Sequence, residues 1–485
     1  MKLIRNFVNG EFVTTHGARF AKVSPVTGEI VAEIESADEA LVNSAVSAAS
    51  AALSGQWSRF SVSQRTALLQ AIAAEIGRKS KEFIDAEIAD TGKPYALAST
   101  LDVPRGAANF LAFSDLMQRT PQETWTTETP DGRGAINTVT YAPKGVIAVI
   151  CPWNLPLLLM TWKVAPALAC GNTVVVKPSE ESPGTATLLA EVMNAVGVPP
   201  GVYNVVHGHG PKATGEFLTQ HPGVHAITFT GESKTGEAIM KNAAKGLRDV
   251  SFELGGKNAG IVFADCDFDA AVEGIARATF LNCGQVCLGT ERVYVERPIF
   301  ERFVTALAAK ARSLKPGDPY ASDTTIGPLI SREHREKVLS YFAKATADGA
   351  TCHAGGGIPS LPENYANGAW IEPTVWTGLP ETSAVIREEI FGPCCHVAPF
   401  DSEEEAITRA NDSPYGLATS IWTQDVSRAN RVARRIRVGI AWVNSWFLRD
   451  LRTPFGGAGI SGIGREGGSH SLAFYTEMRN VCVKL

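Results

Sequence analysis

The chain has 485 residues, 45% of them apolar and 20% charged, with 45 basic against 50 acidic side chains and a formal net charge of −5. This composition excludes disorder, collagen and coiled coil as the dominant state, and the charge gives no electrostatic reason to expect nucleic acid or an anionic membrane as a partner. At about 150 residues per domain the length predicts roughly three domains or two large ones, enough to bury a core without disulfide or metal staples.

Residues 1–7 contain no uninterrupted apolar run, so no signal peptide is expected there. The first 120 or so residues read as largely helical. Ala and Leu recur at helical spacing over 40–53 and 64–76, and the pattern resumes over 102–117 after Gly92-Lys93-Pro94. Residues 120–134 are polar and Thr-rich, an excursion from the compact body, and 136–141 alternate like a strand crossing elsewhere. The most apolar stretch is 146–176. Its longest charge-free piece, 146–162, is broken by Pro152, Asn154 and Pro156, which predicts buried strand, loop and helix rather than a membrane span.

From residue 145 short β-branched or aromatic runs, at 146–150, 173–176, 203–206, 226–229 and 250–253, alternate with helical segments at 162–169, 184–196, 213–219 and 234–245. That alternation predicts right-handed crossovers and a parallel sheet covered on both faces, with ligands at the strand C-terminal ends. It restarts after Gly255-Gly256-Lys257, with strands at 261–263, 292–295, 417–422 and 439–443 and helices at 268–282, 298–314, 403–411 and 427–436. The tail 475–485 reads as a lone strand needing a partner. No low-complexity tract or repeat of solenoid period is present. Nine cysteines, an odd number with no paired framework, predict reduced thiols and a cytoplasmic setting.

Several strand ends carry candidate chemistry, each with a plainer alternative. His207-Gly208-His209-Gly210-Pro211-Lys212-Ala213 fits the loose G-x-G-x-x-[GA] pattern, without an acidic partner at the usual spacing. Phe229-Thr230-Gly231-Glu232-Ser233-Lys234-Thr235-Gly236 is a second strand-to-helix turn whose helix N-terminus suits a pyrophosphate; a glycine serving only a tight turn explains it equally well. Lys177-Pro178-Ser179-Glu180 ends another strand at the same edge, where an acid can accept from ribose hydroxyls. Glu253-Leu254-Gly255-Gly256-Lys257 closes the fifth strand, with a carboxylate placed to meet a ligand or to form an ordinary salt bridge with Lys257. Cys287, in Asn282-Cys283-Gly284-Gln285-Val286-Cys287-Leu288-Gly289, sits in a Gly-containing loop that can expose a thiol, against the default of buried packing. Cys283 with Cys287, and Cys394 with Cys395, lack the further ligands a metal needs, and no metal site is expected.

These segments occur in a fixed order with Pro152-Trp153-Asn154-Leu155-Pro156, Glu389-Ile390-Phe391-Gly392-Pro393 and Pro454-Phe455-Gly456-Gly457. Together they resemble the NAD(P)-dependent aldehyde dehydrogenase superfamily, essentially end to end. The resemblance implies an α/β fold: a Rossmann-type parallel-sheet cofactor domain (1–120 and 144–254), an α/β catalytic domain (255–455) and a small β oligomerisation arm (121–143 and 470–485). It further implies a homodimer or homotetramer. By the same likeness Cys287 is the nucleophile, Asn154 an oxyanion donor and Glu253 the base for thioester hydrolysis. The cofactor residues it implies are Trp153, Lys177, Glu180, Gly210, Phe229, Gly231, Gly236, Glu389 and Phe391. Glu180 would repel a 2′-phosphate, which favours NAD over NADP. Glu232 departs from the family pattern, since a carboxylate beside a pyrophosphate is unfavourable unless it turns away or pairs with Lys234.

Substrate choice must come from outside this shared set. Arg105 stands on an otherwise apolar helix, and Arg449 and Arg452 lie in Trp446-Phe447-Leu448-Arg449-Asp450-Leu451-Arg452. The resemblance places both segments on the substrate funnel, where converging arginines would bind a carboxylate; pairing with Asp102 and Asp450 is the alternative. The likeness is to the branch acting on carboxylated semialdehydes from aromatic ring cleavage.

Overall fold

The computed structural model describes residues 2–15 and 17–485. Its largest sheet has eight strands, of which five are parallel. In space these run Asp249–Glu253, Ala226–Thr230, Val146–Ile150, Thr173–Lys177 and Tyr203–Val205. The chain enters at the middle strand, steps outward to one side and then to the other, so a topological switch falls between Val146–Ile150 and Ala226–Thr230. Val146–Ile150, Thr173–Lys177 and Ala226–Thr230 are buried at every position, as strands covered on both faces must be. Ile147, Val149, Val174 and Val176 pack with the helix Pro156–Ala169 in one core cluster. Ala148, Ile150, Val175 and Ile227 pack on the other face with Val42, Ala45 and Ala49 of Glu39–Ser54. Each such Val or Ile contributes about 1.5–3 kcal/mol over its exposed state.

The second sheet has seven strands, with Asn258–Val262 flanked by Thr290–Glu296 and Ala418–Trp422; every pairing in it is parallel except that of Thr351–Ala354. The short strand Gly462–Ile463 follows this sheet in the chain but pairs antiparallel with Asp249–Glu253 of the first. The two units therefore interleave. The tail strand Thr476–Lys484 finds its partner in Ala135–Pro143 over nine residue pairs, and Thr124–Thr127 completes a three-stranded sheet.

The N-terminal segment departs from the helical expectation. Residues 2–35 hold five strands: Lys2–Ile4, Arg19–Val23 and Ile30–Glu35 form a small sheet, while Asn6–Val8 and Glu11–Val13 extend the edge of the eight-stranded one. Strands of three residues have too little internal periodicity to be read. Here their pairing comes from Val205, nearly two hundred residues away from Phe7. The helix Ser80–Thr91 lies inside the stretch read as largely helical, whereas Arg332–Ala347 is not among the expected helices.

Candidate active site

A cavity of about 840 Å³ opens along the C-terminal ends of the parallel strands, at the topological switch. Its wall takes Cys151 to Asn154 after the middle strand, Lys177 and Glu180 after the next, and Phe229, Gly231 and Glu232 after the fourth. Gly210, Cys287, Glu389 and Phe391 lie along the same wall, and Glu253 does not line it. Gly236 does not line it. A Cβ there would come within 2.8 Å of Leu254, so this glycine lets the helix Ser233–Ala244 approach the sheet. Glu232 faces the cavity and makes no ion pair with Lys234 among the described residues.

The cysteine loop is held in a costly conformation. Asn282, Cys283 and Gly284 all have positive φ, at 53°, 56° and 69°, and a Cβ on Gly284 would meet the carbonyl oxygen of Gly392 at 2.1 Å. The left-handed run turns the chain so that Cys287, half-buried, faces the cavity on one side and packs in the apolar cluster of Trp446 and Phe455 on the other. Cys283 is buried away from it, and no disulfide forms. The Cys287 carbonyl accepts from Asn258 Nδ2 at 2.7 Å. Burial, then the carboxyls of Glu253 and Glu389, push the Cys287 thiol up to about 12.

Asn154 is fixed against the same loop. Its Nδ2 donates to the carbonyl of Gln285 at 3.0 Å, leaving the second N–H of that amide unassigned, and its own carbonyl accepts from Asn282 Nδ2 at 3.0 Å. The side-chain oxygen Oδ1 of Asn154 is buried without a partner.

Glu253 ends its strand with the side chain 4% exposed and both carboxyl oxygens free of hydrogen bonds. The sequence left open a salt bridge with Lys257; instead Lys257 binds Glu291 in a close ion pair. Glu253 turns toward Gly456, where an added Cβ would sit 2.8 Å from Oε1. Burial and nearby Glu466 hold its carboxyl well above the usual range, opposed by Lys163, Arg465 and Arg449. Glu466 is itself paired with buried Lys163 at 2.6 Å.

Glu389 accepts from the Gly256 N–H at 2.7 Å, and burial with nearby Glu291 raises its carboxyl to about 7. Glu291 also accepts from the N–H groups of Ile390 and Phe391, the latter at 2.8 Å. Phe391, at φ 63°, presents its ring edge-on to Trp153 with centroids 5.4 Å apart, and its carbonyl is 2.8 Å from His334 Nε2. Lys177 Nζ lies 3.5 Å from Glu180 Oε2 beside the cavity. A long cavity lined by carboxylates, with an aromatic step near the thiol, has the shape and polarity that suit an extended dinucleotide.

On the other side of Cys287 two arginines converge. Arg449 lies over Trp162 at 4.9 Å and over Phe455 at 4.2 Å, and Arg105 approaches the same indole at 6.0 Å. Neither forms a salt bridge among the described residues, and Arg449 Nη2 is buried without a partner. Burial lowers both guanidiniums to about 10, for Arg449 with help from Arg105, so both remain charged at neutral pH. Arg452 does not join them. It pairs with Asp450 at 2.6 Å and its side chain is 85% exposed. A carboxylate two residues away on a turn satisfied it locally. Asp102 pairs with Lys93 rather than Arg105.

Sequence reasoning missed Lys93, Trp162, Asn258, Gln285 and Glu291. Their partners come together only in the fold, and only Lys93, Trp162 and Gln285 stood in segments already singled out.

Residues 12–481 match the family model described as the aldehyde dehydrogenase family. The chain is 62% identical to a protein named 2-hydroxymuconic semialdehyde dehydrogenase from Pseudomonas sp. (strain CF600), over 100% of both. It is 60% identical to a Pseudomonas sp. protein named 2-aminomuconic 6-semialdehyde dehydrogenase, over 100% of this chain and 99% of that one. The structure superposes on the NAD+ complex of an aldehyde dehydrogenase from Bacillus cereus with TM-score 0.96 and 36% identity, covering 100% of this chain and 97% of that one.

Proposed function

The chain belongs to the aldehyde dehydrogenase family, and from that premise we propose that it oxidises 2-hydroxymuconate-6-semialdehyde to the dicarboxylate with NAD as hydride acceptor. The observation that carries the substrate assignment is the pair Arg105 and Arg449. Two half-buried, charged guanidiniums face one indole without an anion between them, beside the loop of the thiol, and Arg449 Nη2 is buried without a partner. A substrate carboxylate supplies that anion through charge-assisted bonds, and places the aldehyde of the same molecule toward Cys287. The carboxylate is common to the 2-hydroxy and 2-amino muconic semialdehydes, so the amino compound satisfies the same clamp.

A carbonyl has no hydride to release until a nucleophile makes it tetrahedral. Cys287 gives up its thiol proton to solvent in the open cavity and the thiolate Sγ attacks the aldehyde carbon; the oxygen that becomes anionic receives the free N–H of Asn154 and the backbone N–H of Cys287. The nicotinamide of bound NAD supplies the hydride acceptor. Collapse leaves a thioester on Cys287. Glu253, buried and with both carboxyl oxygens free of hydrogen bonds, takes a proton from the attacking water and releases the acid. Lys177 and Glu180 would hold the adenosine ribose of NAD, and Glu389 with Phe391 and Trp153 would hold the nicotinamide ribose; all five line the cavity. Gly210, Phe229 and Gly231 line the path between them.

The three-stranded sheet projects Trp125, Met478 and Val483, each more than half exposed, and the outer edge of Thr476–Lys484 is unpaired among the described residues. A small sheet of this kind is marginal alone, and we read it as the arm of a homodimer or homotetramer. No helix among the described residues is long and apolar enough to cross a membrane.

The test is the substrate dependence of arginine variants. Arg105→Ala and Arg449→Ala should each raise KM for the carboxylated semialdehyde by about 10- to 100-fold, the loss of a charged hydrogen bond of about 1.5–3 kcal/mol. KM for hexanal should change by less than about threefold. Equal effects on both aldehydes would remove the clamp.

A further inference from the structure

Lys93 follows the glycine that ends the helix Ser80–Thr91, and its side chain is 1% exposed. All three N–H groups of its ammonium are used. They go to Glu87 Oε2 at 3.0 Å, to Asp102 Oδ2 in a close contact, and to the main-chain oxygen of Asn154 at 3.2 Å. Each partner belongs to a different part of the substrate site. Asn154 carries the oxyanion donor. Glu87 turns its other oxygen to the N–H of Leu157 at 2.8 Å, fixing the first turn of Pro156–Ala169, the helix that bears Trp162. Asp102 closes a π-type turn, Ala98–Asp102, that runs directly into Val103–Arg119, the helix that bears Arg105. One helical turn further, Asn109 accepts from Arg105 Nε at 3.3 Å and donates to the carbonyl of Leu158 at 3.0 Å.

Two carboxylates around one buried ammonium are a poor device for stability, because desolvation offsets most of the Coulomb gain. Their arrangement has a geometric consequence instead. A π-type turn widens the helix locally and turns Asp102 onto the ammonium, and such turns recur at functional sites. We propose that Lys93 is a positioning residue that sets the separation between the oxyanion donor at Asn154 and the carboxylate clamp at Arg105. A substrate with an aldehyde at one end and a carboxylate at the other is thereby held at both ends by elements joined through one ammonium. This inference rests on the carboxylated-substrate reading above.

The experiment compares steady-state and pre-steady-state NADH formation from 2-hydroxymuconate-6-semialdehyde and from hexanal, in the wild type, Asp102→Asn and Lys93→Met, with thermal unfolding of each. Wild-type preference for the semialdehyde tests the earlier reading by itself, and its absence would remove that reading whatever the variants do. Given that preference, Asp102→Asn loosens only the clamp side. KM for the semialdehyde should rise about tenfold, while kcat/KM for hexanal stays within about twofold. Lys93→Met also frees the Asn154 peptide, and the NADH burst rate should fall about 100-fold with both aldehydes, the loss expected of a misplaced oxyanion donor. If Lys93→Met does not fold, Asp102→Asn decides. Equal losses on both aldehydes in Asp102→Asn, no loss on either, or a wild-type burst in folded Lys93→Met would each overturn the proposal.

Discussion

Replacing Cys287 by serine should lower NADH formation by about 10⁴-fold or more while NAD binding, followed by quenching of protein fluorescence, stays within about threefold of wild type. The size follows from the chemistry: without the thiol no tetrahedral adduct forms, and every later step depends on it. A hydroxyl in the same place is a far weaker nucleophile, and the loop has no histidine to activate it. Turnover above about 1% of wild type would move the nucleophile elsewhere. The thiol's environment adds a pH dependence with a definite sign. Burial and the carboxyls of Glu253 and Glu389 push it up to about 12, so the free enzyme carries the protonated form at neutral pH. Alkylation of the Cys287 peptide by iodoacetamide, read by mass spectrometry, should therefore rise about tenfold per unit between pH 7 and 9. A rate already at its plateau at pH 7 would show a thiol lowered rather than raised.

Glu253→Ala should separate the two half-reactions. Its steady-state rate is expected to fall about 10²- to 10⁴-fold, the usual contribution of a general base, while a rapid burst close to one NADH per site persists. The burst should survive because Glu253 raises the Cys287 thiol; deleting the carboxyl makes that thiol easier to ionise. Deacylation has no such compensation, since water must lose a proton as it attacks. Rapid mixing with acid-quench recovery of the acyl-enzyme checks both statements. Loss of the burst along with turnover would place Glu253 in the first half-reaction instead.

The five parallel strands of the first sheet were legible in the sequence to within a residue, because each is a short run rich in β-branched or aromatic residues, whereas Thr374–Thr377 and Cys394–Phe400 of the second sheet were not read. The strand ends brought Trp153, Lys177 and Phe229 to one cavity for the same reason: in a doubly wound sheet, position along the chain and position at the rim are nearly the same information. What could not be read depends on pairing across the chain. The three-residue strands near the N-terminus take their shape from the sheet edge they join. Arg452 looked equivalent to Arg449 as a residue type, yet Asp450 lies close enough to neutralise one and not the other. Lys257 beside Glu253 offered a local ion pair, and a partner thirty-four residues on, Glu291, takes it. Lys93 was visible only as part of a helix break, because Glu87, Asp102 and Asn154 converge on it only after folding.

Preference for a carboxylated aldehyde is the central claim, and the ratio of kcat/KM for 2-hydroxymuconate-6-semialdehyde to that for hexanal, measured on the unmodified enzyme with saturating NAD, tests it most directly. A second anchoring point through two arginines should make that ratio about 10² or greater, two charged hydrogen bonds at about 1.5–3 kcal/mol each being more than sufficient. A ratio near one, with NADH formed from both aldehydes, would contradict the assignment of Arg105 and Arg449 to the substrate.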